Sequence, residues 1–427
     1  NWGGYNLLVK LNHHNGEVRD YLLDCVKFWI DEFDIDGIRL DAADVLDHGF
    51  MQALRSFTTP LKSDFWLMGE VIHGNYSMWA NDQKLHSVTN YELHKALYSG
   101  HNDHNYFEIA HTVKRLYELG GNRPDGLKLY NFVDNHDVER IYTKLSNKAH
   151  FAPVHILMYT LPGVPSLYYG SEFGIEGKKE KWSDDSLRPE LHFEDFKDSV
   201  EKNPCTELIA NLGQMRHKIP ALSYGDYREL QLMNRQYAFA RNYNGTSVVV
   251  TVNNDDNDFT MTLPVDSGEE YIGVLSGEKI QPNNRCITVN VKANGGDIWV
   301  PAKAYKGDGV VRGTINVEQV AKEQPKTVKK ETPKQEVSEH KKEAARAVEK
   351  KAEIPKPMVE KKAISTPAKT EPIQKNSEEF ERGRIAGLQE AIIAIMEKNG
   401  PVTDQMRKDV MDNVHHDSLV TWVKSFR

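Results

Sequence analysis

Cysteine is scarce in this chain of 427 residues, which carries only Cys25, Cys205 and Cys286. An odd, sparse set without CxxC spacing argues against a disulfide framework or a cysteine zinc site, and it fits a reducing compartment. No apolar run reaches the roughly 18 residues of a membrane-spanning helix, so no membrane span is expected. Positive charge is also in deficit. The net charge of −8 speaks against a nucleic-acid partner. Finally, the chain opens at Asn1-Trp2-Gly3-Gly4 with neither Met nor a signal-peptide pattern. It is expected to be a fragment of a longer polypeptide.

What is present divides into four textures. Residues 1–222 alternate short apolar strands with amphipathic helical patterns. Asn15 can cap a helix on which Val18, Leu22, Cys25 and Trp29 recur at helical spacing. Strand patterns come next at 35–41, 65–70, 87–91, 127–133 and 165–169, with helical segments between them. Strands separated by helices imply a parallel sheet, hence an α/β fold. Residues 223–302 change to β-like segments broken by Asn-Gly, Asp-Asp-Asn-Asp and Pro-Asn-Asn turns, which reads as a small all-β sandwich. Residues 303–376 are rich in Lys, Glu, Pro and Ala, and 319–376 alone carry 15 Lys and Arg against 9 Asp and Glu. So few large apolar side chains cannot offset the ordering entropy, and a solvated spacer is expected. Residues 377–427 regain pattern: Ile385, Leu388, Ile392 and Ile395 form a stripe on one helix. A small helical module for self-association or a protein partner is expected there.

Three acids carry the chemistry. Asp41 ends the strand pattern at 35–41, Glu70 ends that at 65–70, and Asp137 lies just beyond that at 127–133. In a parallel α/β barrel the working side chains sit at the C-terminal strand ends. Half-buried charges there cost heavily without partners, so three apolar strands each leading to an acid are unlikely to be chance. Two carboxyl groups flanking a sugar linkage are what glycoside hydrolysis requires. Arg39 lies two residues before Asp41 on the same strand face, placed to hold it ionised and oriented. Glu70, between apolar Met68 and Val71, is expected to keep a proton for the leaving oxygen. His13-His14 and His415-His416 have no third ligand at metal spacing, and most of the aromatic residues are expected to fill cores.

These stretches resemble a known family. Asp36-Gly37-Ile38-Arg39-Leu40-Asp41, Gly69-Glu70-Val71-Ile72-His73 and Phe132-Val133-Asp134-Asn135-His136-Asp137 resemble the second, third and fourth motifs of the α-amylase family of glycoside hydrolases. Gly163-Val164-Pro165-Ser166-Leu167-Tyr168-Tyr169-Gly170 looks like its eighth-strand motif, and Val9-Lys10-Leu11-Asn12 is similar to a segment of the neopullulanase and cyclomaltodextrinase branch. The resemblance covers about residues 1–300. It implies Asp41 as nucleophile, Glu70 as proton donor and Asp137 as third carboxylate, with Arg39, His136 and His73 at the substrate. It implies strands four to eight of a (β/α)8 TIM barrel, followed by the β-sandwich. The implied substrate is an α-glucan, cleaved with retention at α-1,4 links, with α-1,6 links as a further option. Glucan transfer by the same acids is the alternative. No cofactor is implied beyond a calcium ion in the full-length enzyme, whose ligands would lie mostly outside this chain. The family's first motif has no counterpart here, Val9 stands where Pro is usual, and Asp44-Val45 replaces Lys-His. With fewer than eight strands, the chain by itself is expected to be inactive and poorly folded.

Overall fold

A computed structural model describes residues 9–120, 126–181, 183–305 and 313–323, together with Gln389, Ile393 and Arg407. Compactness divides the chain into two units, Asn1–Lys329 and Lys330–Arg427. The first unit holds the strands and helices that build the site. The predicted helical stripe of the second lies outside the described residues.

Helix α1 (Gly16–Phe33) begins where expected, with the Asn15 side chain accepting from the backbone N–H groups of Glu17 and Val18. Strand β1 (Gly37–Leu40) comes next, then α2 (His48–Leu61), β2 (Trp66–Gly69), β3 (Ser87–Val88), α3 (Tyr91–Asn102), α4 (Tyr106–Glu118) and β4 (Tyr130–Phe132). After the short α5 (Ile141–Lys144) come α6 (Phe151–Thr160) and β5 (Val164–Ser166). Strands β1, β2 and β3 pair in parallel, as do β4 and β5. A parallel bridge from Thr89 to Tyr130 joins the two groups. Five parallel strands thus run side by side, each shorter than its sequence pattern. The trimming has a local cause at β3. Asn90 turns out of the strand to cap α3 through the N–H of Leu93, so Tyr91 starts a helix where a strand was expected.

Gly37 and Gly69 let the sheet close up. A Cβ at Gly37 would lie 2.3 Å from the Trp66 carbonyl oxygen, and one at Gly69 would lie 2.5 Å from a Leu85 methyl. Among the described residues β1 pairs on one edge only. Beneath that edge an apolar groove of about 860 Å³ is lined by residues including Leu22, Cys25, Val26, Trp29, Ile38 and Leu40. Leu22, Cys25 and Trp29 of the stripe expected on α1 therefore line this groove, while Leu23 and Val26 supply the helix's buried contacts.

Helices α7 (Ser199–Lys202), α8 (Pro204–Lys218) and α9 (Pro220–Tyr224) lead into the β region. Its strands are β6 (Arg228–Leu232), β7 (Gln236–Tyr243), β8 (Thr246–Asn253), β9 (Phe259–Pro264), β10 (Tyr271–Gly273), β11 (Lys279–Ile280), β12 (Cys286–Val291) and β13 (Gly295–Pro301). They form a six-stranded sheet in the order β11-β10-β13-β8-β7-β6 and a β12-β9 ribbon. The sandwich is present but is not free-standing. Val249, Ala238 and Trp299 face the ribbon's Met261, Ile287 and Val289. On the other face, Val248, Val250 and Phe239 join the core of the parallel-strand region. Burial on both faces explains the unbroken valine run of β8. Helix α6 is buried nearly all round, as a helix between two layers must be.

One expectation needs correction. The stretch 303–376 is not spacer from its start, because α10 (Val317–Glu323) folds back onto the unit. Val320 is fully buried, Ile315 nearly so, and the Gln319 amide donates to the Lys202 carbonyl at 2.6 Å. These two aliphatic residues precede the charged run, whose composition masks them. Most of the rest of the predicted spacer, from 324 onwards, lies outside the described residues.

Candidate active site

Arg39 on β1 reaches two acids at once. Its guanidinium lies 2.9 Å from Asp41 Oδ1 and 3.0 Å from Glu70 Oε2. The two strands are in register, Leu40 against Gly69, so the next residue of each emerges at the same C-terminal end. A tight turn completes the junction. Ala42 adopts a left-handed backbone, φ 43°, a conformation that costs a residue with a Cβ about 1–2 kcal/mol. It aims the Ala42 N–H at Glu70 Oε2, 3.2 Å away, while the Ala43 N–H donates to the Glu70 carbonyl at 2.8 Å. Strain at this position serves the geometry of the acid pair.

Glu70 is not surrounded as its sequence neighbours implied. Met68 and Val71 are buried in their own right, while the carboxylate meets Arg39, the Ala42 N–H and, at 3.5 Å, the Tyr91 hydroxyl. The strand ends at Gly69, so strand alternation no longer predicts what Glu70 faces. Asp41 stands open, its side chain 80% exposed against 13% for Glu70.

Asp137 reaches the site from the loop after β4. His136 Nε2 lies 3.2 Å from its Oδ2 and Arg188 lies 3.2 Å from its Oδ1. The loop has a buried foundation. Asp134 accepts from the Ile141 N–H at 2.7 Å and from the Ser171 hydroxyl at 2.8 Å. Burial pushes the Asp134 carboxyl up to about 6, against the pull of those donors and of the Arg140 charge. Fully buried Arg140 donates to the Leu187 carbonyl at 2.8 Å and lies under the Tyr168 ring, 4.1 Å from its centroid. Asn135 accepts from the Asp137 and Val138 N–H groups at 2.8 and 3.2 Å. His73, by contrast, is exposed on the loop beyond Glu70 and makes no hydrogen bond or ion pair with the acids. Tyr76 and Tyr106 are core residues, as aromatics usually are. Among the described residues, no group of three His, Cys, Asp or Glu stands close enough together to hold a metal ion.

The family description "Alpha amylase, catalytic domain" matches residues 3–207, and "Alpha-amylase C-terminal domain" matches residues 225–299. The chain belongs to the α-amylase family. Neopullulanase 2 of Thermoactinomyces vulgaris is 30% identical over 282 residues, which is 64% of this chain and 46% of that protein. A cyclomaltodextrinase of Thermoanaerobacter pseudethanolicus is 30% identical over 293 residues, 66% of this chain and 49% of that one. The chain thus spans about half the length of these curated relatives. Among solved structures, an Anoxybacillus α-amylase superposes with a TM-score of 0.60 at 25% identity, covering 71% of this chain and 66% of its own. A cyclomaltodextrin glucanotransferase gives 0.61 at 24% identity, covering 69% and 61%. The family's barrel-type catalytic domain and C-terminal β domain are therefore the architecture of this chain.

Sequence reading within the family motifs missed three partners of the acids. Tyr91 and Arg188 lie outside the motifs and reach the acids only through folding. Asn135 lies within a motif, but its bond to the Tyr91 hydroxyl at 3.1 Å joins residues 44 positions apart, which no local pattern encodes.

Proposed function

We propose that this chain carries the catalytic machinery of a retaining glycoside hydrolase acting on α-1,4- and α-1,6-glucosidic bonds of maltodextrin, starch or pullulan fragments. The observation that carries the reading is one guanidinium, that of Arg39, shared by Asp41 and Glu70. Asp41 attacks the anomeric carbon, and Arg39, 2.9 Å from its Oδ1, keeps it aimed. Glu70 delivers a proton to the leaving oxygen, then takes one from water as the glycosyl-enzyme breaks down. Asp137, oriented by Asn135 and paired with His136, holds sugar hydroxyls as positive charge grows on the ring. The names of relatives, neopullulanase and cyclomaltodextrinase, support the substrate class.

Replacing Asp41 with Asn tests this in the protein at its natural length. Release of reducing ends from maltodextrin should fall by roughly 10⁴-fold or more, on the scale of losing a nucleophile elsewhere. Undiminished activity in D41N would falsify the assignment. Transfer is the second reading, favoured by the fold shared with a glucanotransferase. Redistribution of chain lengths without new reducing ends would establish it. A third reading, a chain inactive by itself, is favoured by the β1 edge, unpaired among the described residues, and by the exposure of Asp41. For 377–427 we propose a self-association or partner-binding module. It is abandoned if deletion leaves a solution mass that is monomeric both before and after.

A further inference from the structure

We propose that Tyr91 is a positioning residue for Glu70, fixing which carboxylate oxygen hands over the proton and tying that oxygen to the Asp137 loop. The inference rests on the reading of Glu70 as acid/base.

Tyr91 is delivered to the site by a rigid junction. Thr89, just before it, clasps the backbone beyond Glu70: its hydroxyl lies 2.9 Å from both the N–H and the carbonyl of Val71. Asn90 donates to the Asn131 side chain on β4 at 2.8 Å, in a buried contact. The Tyr91 ring stands edge-on to Phe132, with centroids 4.9 Å apart. Backbone and ring are thus both held before the hydroxyl makes any contact.

The direction of the hydroxyl bond is set by Asn135. That side chain's oxygen already accepts two backbone N–H groups, so its amide nitrogen must face Tyr91. It donates to the phenol oxygen at 3.1 Å. The phenol proton is left for Glu70 Oε1, 3.5 Å away. Burial raises the phenol above its ordinary range, so it stays a donor across neutral pH. The contact is long, as catalytic hydrogen bonds often are before substrate tightens them.

The two oxygens of Glu70 therefore differ. Oε2 already faces two N–H donors, from Arg39 and Ala42, and a proton there would clash with both. Among the described residues Oε1 meets only the Tyr91 hydroxyl. The acid proton belongs on Oε1, and with one lone pair of that oxygen held by Tyr91 the proton is turned towards the leaving oxygen. Asn135 serves Tyr91 and the Asp137 backbone together, so the acid/base and the third carboxylate share one orienting side chain.

Y91F, in the protein at natural length, keeps the ring and removes only the hydroxyl. With maltotetraose, kcat should fall roughly ten- to a hundredfold, part of what an acid/base group supplies, with KM within about twofold. With α-maltosyl fluoride and azide the rate should stay within about twofold of the unmodified protein. Fluoride leaves without protonation, and azide intercepts the glycosyl-enzyme without a base. Equal losses on both substrates, or no loss on either, overturn the proposal. E70Q run beside it should show the same split, larger. If E70Q shows no split, the acid/base assignment fails on its own account. Should the unmodified protein turn over neither substrate, a crystal structure of Y91F decides: an unmoved Glu70 carboxylate overturns the proposal, and one swung off Arg39 supports it.

Discussion

The parallel and antiparallel halves of this unit use polar groups in opposite ways. Strands β1 to β5 are two to four residues long; Asp41 and Glu70 directly follow the ends of β1 and β2, and Asp137 lies on the loop after β4. Past the last ladder bond, backbone and side chains are free to turn towards one another, as Ala42 and Asn135 do. In the β region the longest strands, β7 and β8, run for eight residues each, and polar groups there serve the frame. Arg241, fully buried, donates to the Gly225 carbonyl at 2.9 Å, and Asp297 accepts from the Leu275 and Ile298 N–H groups at 2.9 and 2.7 Å. The parallel half brings its acids out at strand ends over a buried footing that includes Asp134 and Arg140; the other keeps its buried polar groups within the frame. The contrast extends to the edges. The β8 strand is covered on both faces, whereas among the described residues β1 pairs on one edge only.

The sharpest way to break this comparison is Arg39→Lys. A lysine is a point charge and cannot serve Asp41 and Glu70 through two separate nitrogens. We expect kcat to fall by roughly a hundredfold or more, as when one preorganised donor is removed, with the unfolding midpoint nearly unchanged. A large stability loss with kcat intact would mean that Arg39 belongs to the frame after all.

The next effect is one of pH. Burial pushes the Asp297 carboxyl up from 3.8 to about 6. The folded state then binds this proton more tightly than the unfolded state. Its stabilising contribution is complete below the unfolded value and is lost as pH rises through the folded one. Asp134 is shifted in the same direction. Histidines held down by burial, His94 and His155 to about 4 and His101 to about 3, pull stability the other way over the same window, so the Asp297 contribution of at most about 3 kcal/mol between about pH 4 and 6 is read against D297N. Asp297→Asn should remove that contribution, so that its melting temperature climbs more steeply with pH than that of the unmodified protein, and leave kcat alone. An unchanged slope in D297N would show that Asp297 takes up its proton equally readily in the folded and the unfolded protein.

Much of the fold could be read directly. Helical spacing and Asn15 placed α1, and the change in texture near residue 222 separated the parallel region from the β region. Strand limits were less legible, because pairing is decided by the neighbouring strand. The pattern at 87–91 contained a helix cap that only the partner groups disclose. Ile315 and Val320 were hidden by the charged run that comes after them. At the site, Asp41, Glu70, Asp137, Arg39 and His136 could be named in advance, since each lies in or beside a strand-end motif. His73 could be named too, and it stands exposed on the loop beyond Glu70.

Sequence by itself determined the kinds of groups available and their order: three acids, an arginine two residues before the first, and a histidine next to the last. Local chain geometry suffices for that, because residues two apart on a strand share a face. Tertiary structure alone decided that Arg39 joins two carboxylates, that Arg188 meets Asp137, and that Tyr91 lies at the second oxygen of Glu70. Those contacts join residues from 21 to 51 positions apart. Parallel register and packing, which no local pattern encodes, bring them within reach.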